Sequence, residues 1–344
     1  MRQSGMREVP VADAVGMVLC HDITRIVPGK CKGPAFKKGH VVTQNDIHEL
    51  LRVGKEHIYV LEPMPGFVHE DDAAWRIARA AAGENLALTT ACEGRVNLSA
   101  QAQGLLTVDV EALGEINSLG EIALASLHTH QEVAPGQLVA GTRIIPLLIE
   151  EEKLRRVEER CAAGAVIRVL PFRSCRVGVV TTGSEVYNGR IKDAFGPVLR
   201  EKFSRLGSQV FTQRITNDEV AMTAAAIRDL LADGADLVAV TGGMSVDPDD
   251  RTPAAIRAAG GKQVVYGAPT FPGAMFLLAH IGDVPVIGLP GCVMYHRASI
   301  FDLIVPRILA GLEVTAQDVA ALGHGGFCAA CAECRYPACA FGKG

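Results

Sequence analysis

From Cys175 onward the chain alternates short apolar strands with amphipathic helices, and this alternation limits the fold more than any other feature of the sequence. Arg176-Val-Gly-Val-Val180 is a buried-strand run; after a turn-rich segment, Gly196 to Leu206 sets Leu199, Phe203 and Leu206 on one helical face before Gly207. Ser208-Gln-Val-Phe211 predicts the next strand, followed by a helix capped at Asn217 or Asp218 with Val220, Ala224, Ile227 and Leu231 along one stripe and Gly234 at its end. Asp236-Leu-Val-Ala-Val240 reads as another strand, and Thr252 as an N-cap with Pro253 at the first position of a helix that stops at Gly260 and Gly261. Strands alternating with helices predict an α/β fold: a three-layer αβα domain over residues 174–312, its sheet mainly parallel and covered on both faces.

In such sheets ligands bind beyond the carboxyl ends of the strands, so the loops at 181–185, 241–250, 270–275 and 288–292 are expected to line the ligand pocket. Three of those ends carry glycine loops: Thr181-Thr-Gly-Ser-Glu185, Thr241-Gly-Gly-Met-Ser-Val-Asp-Pro-Asp-Asp250 and Gly288-Leu-Pro-Gly-Cys292. Glycine lets the backbone approach a ligand, and loop amides can hold phosphate without a lysine. The amides and hydroxyls of Thr182-Gly183-Ser184 and Gly242-Gly243 therefore suit anionic oxygens, and Asp250, just before the helix start, can accept Mg2+ through water. The plainer readings are a helix-end charge for Asp250 and a solvated loop carboxylate for Glu185 and Asp249. Cys292 is either a ligand-facing thiol or a small buried hydrophobe.

The rest of the chain is less regular. Residues 1–62 mix strand-like runs such as His57-Ile-Tyr-Val60 with one expected helix, Gln44 to Gly54, before a turn at Glu62-Pro-Met-Pro-Gly66. Residues 63–150 read as a β-rich segment led by a helix around Asp72 to Ala82. A linker helix is expected within 151–173, with Glu151–Arg155 and Glu152–Arg156 as i,i+4 pairs and Leu154, Val157 and Cys161 on one face. His128-Thr-His130 would put two imidazoles on one side of a strand, a weak metal signal without a third ligand. The net charge of −4 and the absence of long basic runs argue against nucleic acid as a partner. The amino-terminal residues lack an apolar signal-like core and no window is apolar enough to span a membrane, so the expectation is a cytoplasmic protein.

Residues 313–344 form a cysteine-rich tail, in which four of the ten cysteines stand as Cys328-x2-Cys331-x2-Cys334-x4-Cys339. In a reducing cytosol this spacing argues for metal before disulfides. Four thiolates can close a tetrahedral Zn2+ site or ligate an iron–sulfur cluster, with His324 as a substitute ligand. The spacing differs from the ferredoxin run C-x2-C-x2-C-x3-C by one residue in the last gap. Cys20, Cys31, Cys92, Cys161 and Cys175 are scattered, and packing accounts for them.

Thr182-Gly-Ser-Glu185, Asp193 with Gly196-Pro197, the Gly242-Gly243-Met-Ser-Val run ending in Asp250, Pro272-Gly273 and Gly288-Leu-Pro-Gly291 together resemble one family. It is the molybdopterin-binding domain shared by molybdenumtransferases (bacterial MoeA and the carboxyl-terminal part of gephyrin) and MogA-type adenylyltransferases. The resemblance covers roughly residues 174–312 and extends more loosely to AFKKGHVVTQNDIHELLRVGKEHIYV in the amino-terminal segment. It implies a site in which Thr182, Gly183, Ser184, Asp193, Gly242, Gly243, Ser245, Pro272, Gly273, Pro290 and Gly291 hold molybdopterin or its adenylated form, with Asp250 and Glu185 in catalytic positions. It also implies Mg2+ at Asp250, molybdate as co-substrate and a homodimer. Departures stand beside the matches. The transferases' DNSAMDG-like motif has no equivalent here; Ala194-Phe195 replace the usual Ser-Asn, Ser184 an Asp, and Gly291-Cys292 a Gly-Asn. Three function classes remain open: an enzyme that cleaves adenylated molybdopterin and inserts molybdenum, a non-catalytic carrier that passes the cofactor to a client molybdoenzyme, and a nucleotide-processing enzyme of the competence-damage type.

Overall fold

The computed structural model describes residues 6–27, 31–61, 65–92, 94–245 and 250–344. Val246 to Asp249 in the second glycine loop, and Glu62 to Met64 of the expected turn, lie outside the described residues, as does the side chain of Cys31. The chain divides into two compact units. One comprises most of the first 168 residues; the other comprises residues 169–344 together with 102–107 and 128–134.

The second unit carries the expected alternation. We label its strands β1 (Arg176–Thr182), β2 (Gln209–Thr216), β3 (Leu237–Thr241), β4 (Lys262–Tyr266), β5 (Leu277–Ile281) and β6 (Val284–Leu289). Its main helices are α1 (Phe195–Arg205), α2 (Val220–Ala232), α3 (Thr252–Ala258), α4 (Ile300–Leu309) and α5 (Ala316–Ala321). The sheet order is β2-β1-β3-β6-β5-β4. β2, β1, β3 and β6 run parallel, and β5 and β4 close one edge as antiparallel strands. Alternation within the strands fills two cores. Val177, Val179, Ala239 and Ile287 pack with Leu199 and Phe203 of α1 and Phe301 and Ile304 of α4. Val180, Val238, Val240 and Val286 pack on the other side with Ala224, Ile227 and Leu230 of α2 and Ile256 of α3. This is a three-layer αβα domain.

Two details of the helices differ from expectation. The buried residues of α2 are Thr223, Ala224, Ala226, Ile227 and Leu230, so Val220 and Leu231 flank them. The interface is displaced because Leu230 fills the space left by the missing side chain at Gly178, where a Cβ would meet it at 2.9 Å. The caps also shift: Glu219, and not Asn217 or Asp218, is the N-cap of α2, and in α3 Arg251 occupies the N-cap position with Thr252 as the first helical residue.

The first unit is described by itself. Strands Met6–Pro10 and His57–Leu61 pair antiparallel, and helix Asp46–Arg52 lies within the span expected to be helical. Val9, Leu19, Ile23, Leu50 and Ile58 form a small core there. Beyond it, a four-stranded antiparallel sheet runs in the order Leu86–Leu88, Arg95–Ala100, Leu138–Ile144, Ile122–Ser126, with helix Glu70–Ala81 against it. Helix Glu151–Ala162 buries Leu154, Val157 and Cys161 as the pattern required. Its expected i,i+4 pairs give way to others. The Arg76 guanidinium reaches Glu158 at 2.8 and 2.9 Å and Glu151 at 2.7 Å, while Arg155 pairs with Glu152 and Glu159. A planar fork on a neighbouring helix meets two carboxylates at once, which a solvated pair along one helix cannot match. Cys20 and Cys161 are buried and Cys175 is half-buried, but Cys92 is exposed, so packing does not account for that thiol. No described helix is long and apolar enough to cross a membrane.

Candidate functional site

Parallel register decides where the glycine loops emerge. Thr181 lies opposite Thr241, and Thr241 opposite Leu289, so the chain leaves β1, β3 and β6 at a single edge of the sheet. After β3 the backbone turns through Gly242 and Gly243 at φ +84° and +55°. A Cβ on Gly242 would stand 2.1 Å from the Thr182 carbonyl oxygen, so only glycine lets the first and second loops come this close. The Thr252 hydroxyl donates to the Gly242 carbonyl (2.8 Å) and its amide to that of Gly243 (3.0 Å), tying the start of α3 to the loop. This is why Thr252 does not act as the cap: its side chain is committed upstream.

The first loop is held from α2's side. Asp218, expected as a helix cap, accepts the Ser184 amide (2.9 Å) and the Thr182 hydroxyl (3.3 Å), and the same hydroxyl donates to the Asn217 carbonyl (2.9 Å). Asp193 accepts the amides of Phe195 (2.9 Å) and Gly196 (3.0 Å) at the start of α1. Gln213 donates to Asp193 (2.6 Å) and to the Thr181 hydroxyl (2.9 Å). Asp193 therefore anchors α1 and sets the position of Phe195.

A cavity of about 490 Å3 opens beyond these strand ends. Gly242, Gly243, Ser245 and half-buried Asp250 form one side of its wall. Pro272, Gly273, Pro290 and Gly291 form another, and Cys292, which begins the short helix Cys292–Tyr295, completes it. Burial pushes the Cys292 thiol up from its ordinary pKa. Thr182, Gly183, Ser184, Glu185 and Asp193 are not on the wall. Thr182 and Gly183 are buried, and Glu185 is exposed on the short helix Ser184–Tyr187. The wall also contains Phe195, Met244, Phe271 and Met275, which give the cavity an apolar lining with few polar groups. Met244, Phe271 and Met275 fall in the loops 241–250 and 270–275 expected to line the pocket, whereas Phe195 was visible only as a departure from the family pattern. A larger, more open cavity of about 720 Å3 lies at the opposite, amino-terminal edge of the strands, near Cys175, Asp236 and His280. It is a weaker candidate, because the strand-end loops are absent there and the Asp236 carboxylate is occupied by the Arg176 amide at 2.7 Å.

His128 and His130 lie in a turn between strands Ile122–Ser126 and Glu132–Val133, and His130 adopts φ +61°, so they do not share a strand face. Among the described residues, no three His, Cys, Asp or Glu side chains converge on a position for one metal ion. Cys328, Cys331, Cys334 and Cys339 instead border a cavity of about 150 Å3, and His324 is not on its wall.

Residues 178–310 match the family described as "Probable molybdopterin binding domain", and residues 8–62 match a domain of unknown function, DUF8806. A CinA-like protein of Mycobacterium sp. (strain MCS) is 35% identical over 92 residues, which is 27% of this chain and 22% of that protein. The chain thus aligns with only about a fifth of such curated relatives. Among solved structures, the molybdopterin biosynthesis enzyme MoaB of Thermus thermophilus has 22% identity and a TM-score of 0.32, over 40% of this chain and 97% of that one. The molybdopterin biosynthesis MoeA protein of Pyrococcus horikoshii has 16% identity and a TM-score of 0.33, over 89% of this chain and 75% of that one. The cavity wall from Phe195 to Cys292 falls inside the matched span and the cysteine tail falls beyond it. The match to the probable molybdopterin binding domain thus lies within the αβα domain and covers less than half of the chain.

Proposed function

We propose that the strand-end cavity binds molybdopterin, free or adenylated, and that the protein acts in molybdenum cofactor biosynthesis. The observation that carries this reading is the cavity itself. Main chain at Gly242, Gly243, Gly273 and Gly291 lines it beside the Ser245 hydroxyl and the Asp250 carboxylate, with Phe195 and Phe271 on the wall. Glycine main chain suits close approach of a phosphate, and aromatic side chains suit the flat face of a pterin. The family match supports a role in molybdenum cofactor biosynthesis or a CinA-like function.

The donor set also fits Mg2+, which binds through one or two carboxylates together with substrate phosphates. Asp250 would hold it, and the ion would neutralise charge on the phosphate oxygens. Asp250 orients the phosphates, Ser245 donates to their oxygens, and the apolar wall excludes water from the anhydride of an adenylated ligand. Molybdate would be the second substrate in an insertion reaction, and a homodimer would complete the site. A carrier that hands the cofactor to a client molybdoenzyme needs only the binding half of this arrangement. A second reading, nucleotide processing of the competence-damage type, is favoured by the 35% identity with CinA-like proteins.

Heating purified protein and reading the fluorescence of released oxidised pterin tests the first reading. Stoichiometric pterin supports it; no pterin, together with hydrolysis of a nucleotide substrate, gives the second. AMP release from adenylated molybdopterin that depends on molybdate separates enzyme from carrier. Asp250→Ala should fold normally and lose turnover or weaken pterin binding by about 10- to 100-fold, equivalent to about 1.4–2.7 kcal/mol. Unchanged binding and turnover would reduce Asp250 to a helix-end charge.

A further inference from the structure

The cysteine tail is built onto the core of the second unit. Phe341 is buried, and Cys328, Cys334, Tyr336 and Cys339 pack against the cluster formed by α1, α4 and the sheet. The Tyr336 hydroxyl donates to the Asp302 carbonyl at 2.8 Å, and its ring meets Phe341 edge-on with centroids 6.2 Å apart. Upstream, Phe271 and Phe327 are bridged in parallel: the Phe271 amide donates to the Gly326 carbonyl and the Cys328 amide to the Phe271 carbonyl, each at 2.8 Å. The loop is therefore pinned at both ends.

Within it the four cysteines line a cavity of about 150 Å3, Cys331 at its exposed side. A cavity this size takes a benzene-sized guest. A cubane of iron and sulfide is of that order and keeps its four cysteine ligands apart at its corners. Arg297 and Arg335 are on the wall, where positive charge offsets the net negative charge of a four-thiolate cluster, and Phe327, Tyr336 and Phe341 supply the apolar surround.

We propose that Cys328, Cys331, Cys334 and Cys339 ligate one [4Fe–4S] cluster in this cavity. The cavity neighbours the strand-end site: Phe271 lines one and its partner Phe327 the other, and the segment from Gly291 to Ala298 runs from the first wall to the second. The cluster site stands on its own residues and does not depend on the pterin reading.

The test uses the full-length chain purified without oxygen and reconstituted separately with ferrous iron plus sulfide and with Zn2+. About four iron and four sulfide per chain, a broad thiolate-to-iron absorption and an EPR signal on reduction are expected. Cys331→Ser and Cys334→Ser should each lose most of the bound iron, while Cys92→Ser, an exposed thiol outside the cavity, should keep it. A colourless protein holding one zinc, or no metal in either reconstitution, overturns the proposal. So does iron retained equally by Cys331→Ser and Cys334→Ser. The parent's iron-to-sulfide ratio decides the matter even where a serine variant fails to fold.

Discussion

The two neighbouring cavities of the second unit are made in opposite ways. The strand-end cavity is a product of the sheet: parallel strands deliver glycine loops to one edge, and main chain forms much of the wall. The cysteine cavity is a product of side chains: a terminal loop is held over α4 by Tyr336, Phe341 and main-chain bonds to Phe271, and thiols and aromatics form the wall. A site of the first kind follows from topology and fails when a backbone conformation is blocked. A site of the second kind follows from packing and fails when a buried partner is removed.

Removing such a partner should have the largest effect. Asp302 is fully buried at the start of α4, accepts from the Lys202 ammonium on both carboxylate oxygens (2.8 and 3.0 Å), binds Arg205 (2.9 Å) and caps the helix through Ser299. Asp302→Ala leaves Lys202 buried without its anion and should cost about 3–5 kcal/mol. It should also loosen the cysteine loop that rests on the Asp302 carbonyl. Urea denaturation measures the first effect and metal retention the second; a stability loss with metal retention unchanged would show that the tail is held without α4.

Blocking the backbone comes next. Gly242→Ala combines a left-handed conformation with a Cβ 2.1 Å from the Thr182 carbonyl oxygen, and should destabilise by about 3 kcal/mol. Gly291 offers the contrast. Its φ of −55° suits any residue and a Cβ there has open space, so Gly291→Leu should leave the thermal midpoint nearly unchanged while reducing pterin binding. Equal stability losses in the two variants would erase the distinction between a glycine that permits the fold and one that leaves room for ligand.

A pH effect sharpens the packing side. Burial, then the Arg307 guanidinium, pushes His130 down to about 4, with Asp318 opposing the shift. The folded state therefore favours the neutral ring. The stabilisation is present above the ordinary histidine pKa near 6.5 and is lost as pH falls toward 4. Allowing for partial solvation, the parent should lose about 2 kcal/mol more than His130→Asn over that range, asparagine being tolerant of the φ of +61°. Parallel stability curves for the two proteins would remove the histidine from the account.

The smallest change is Tyr336→Phe, which deletes the bond to the Asp302 carbonyl and keeps the ring. It should cost about 1 kcal/mol and speed metal loss from the tail without altering the strand-end cavity. An equal effect on pterin binding would mean that the two cavities are not independent.

Much of the second unit was legible in the sequence because strand and helix periods are local. β1, β3, α1 and the faces of Leu199 and Phe203 follow from spacing alone. The glycine loops were legible too, since a strand ending in glycine leaves a recognisable mark. The roles of individual polar residues were less so. Asp218 and Thr252 read as helix caps, yet Glu219 and Arg251 hold those positions, and the side chains of Asp218 and Thr252 reach residues distant in sequence: Ser184 and Gly242. Likewise, Glu151 pairs with Arg76 of another helix rather than with its own i+4 neighbour.

The alternation, the parallel sheet, the glycine strand ends and a cysteine spacing suited to metal can all be read along the chain. Periodicity and short-range spacing carry that information without reference to distant residues. Tertiary structure alone decided that the first loop, with Glu185, stays off the cavity wall while Phe195 joins it. It also decided that the four cysteines border one cavity. Those outcomes depend on strand order, on two loop backbones passing within the reach of a single Cβ, and on a terminal loop packing against a helix, all of them relations between residues far apart in the chain.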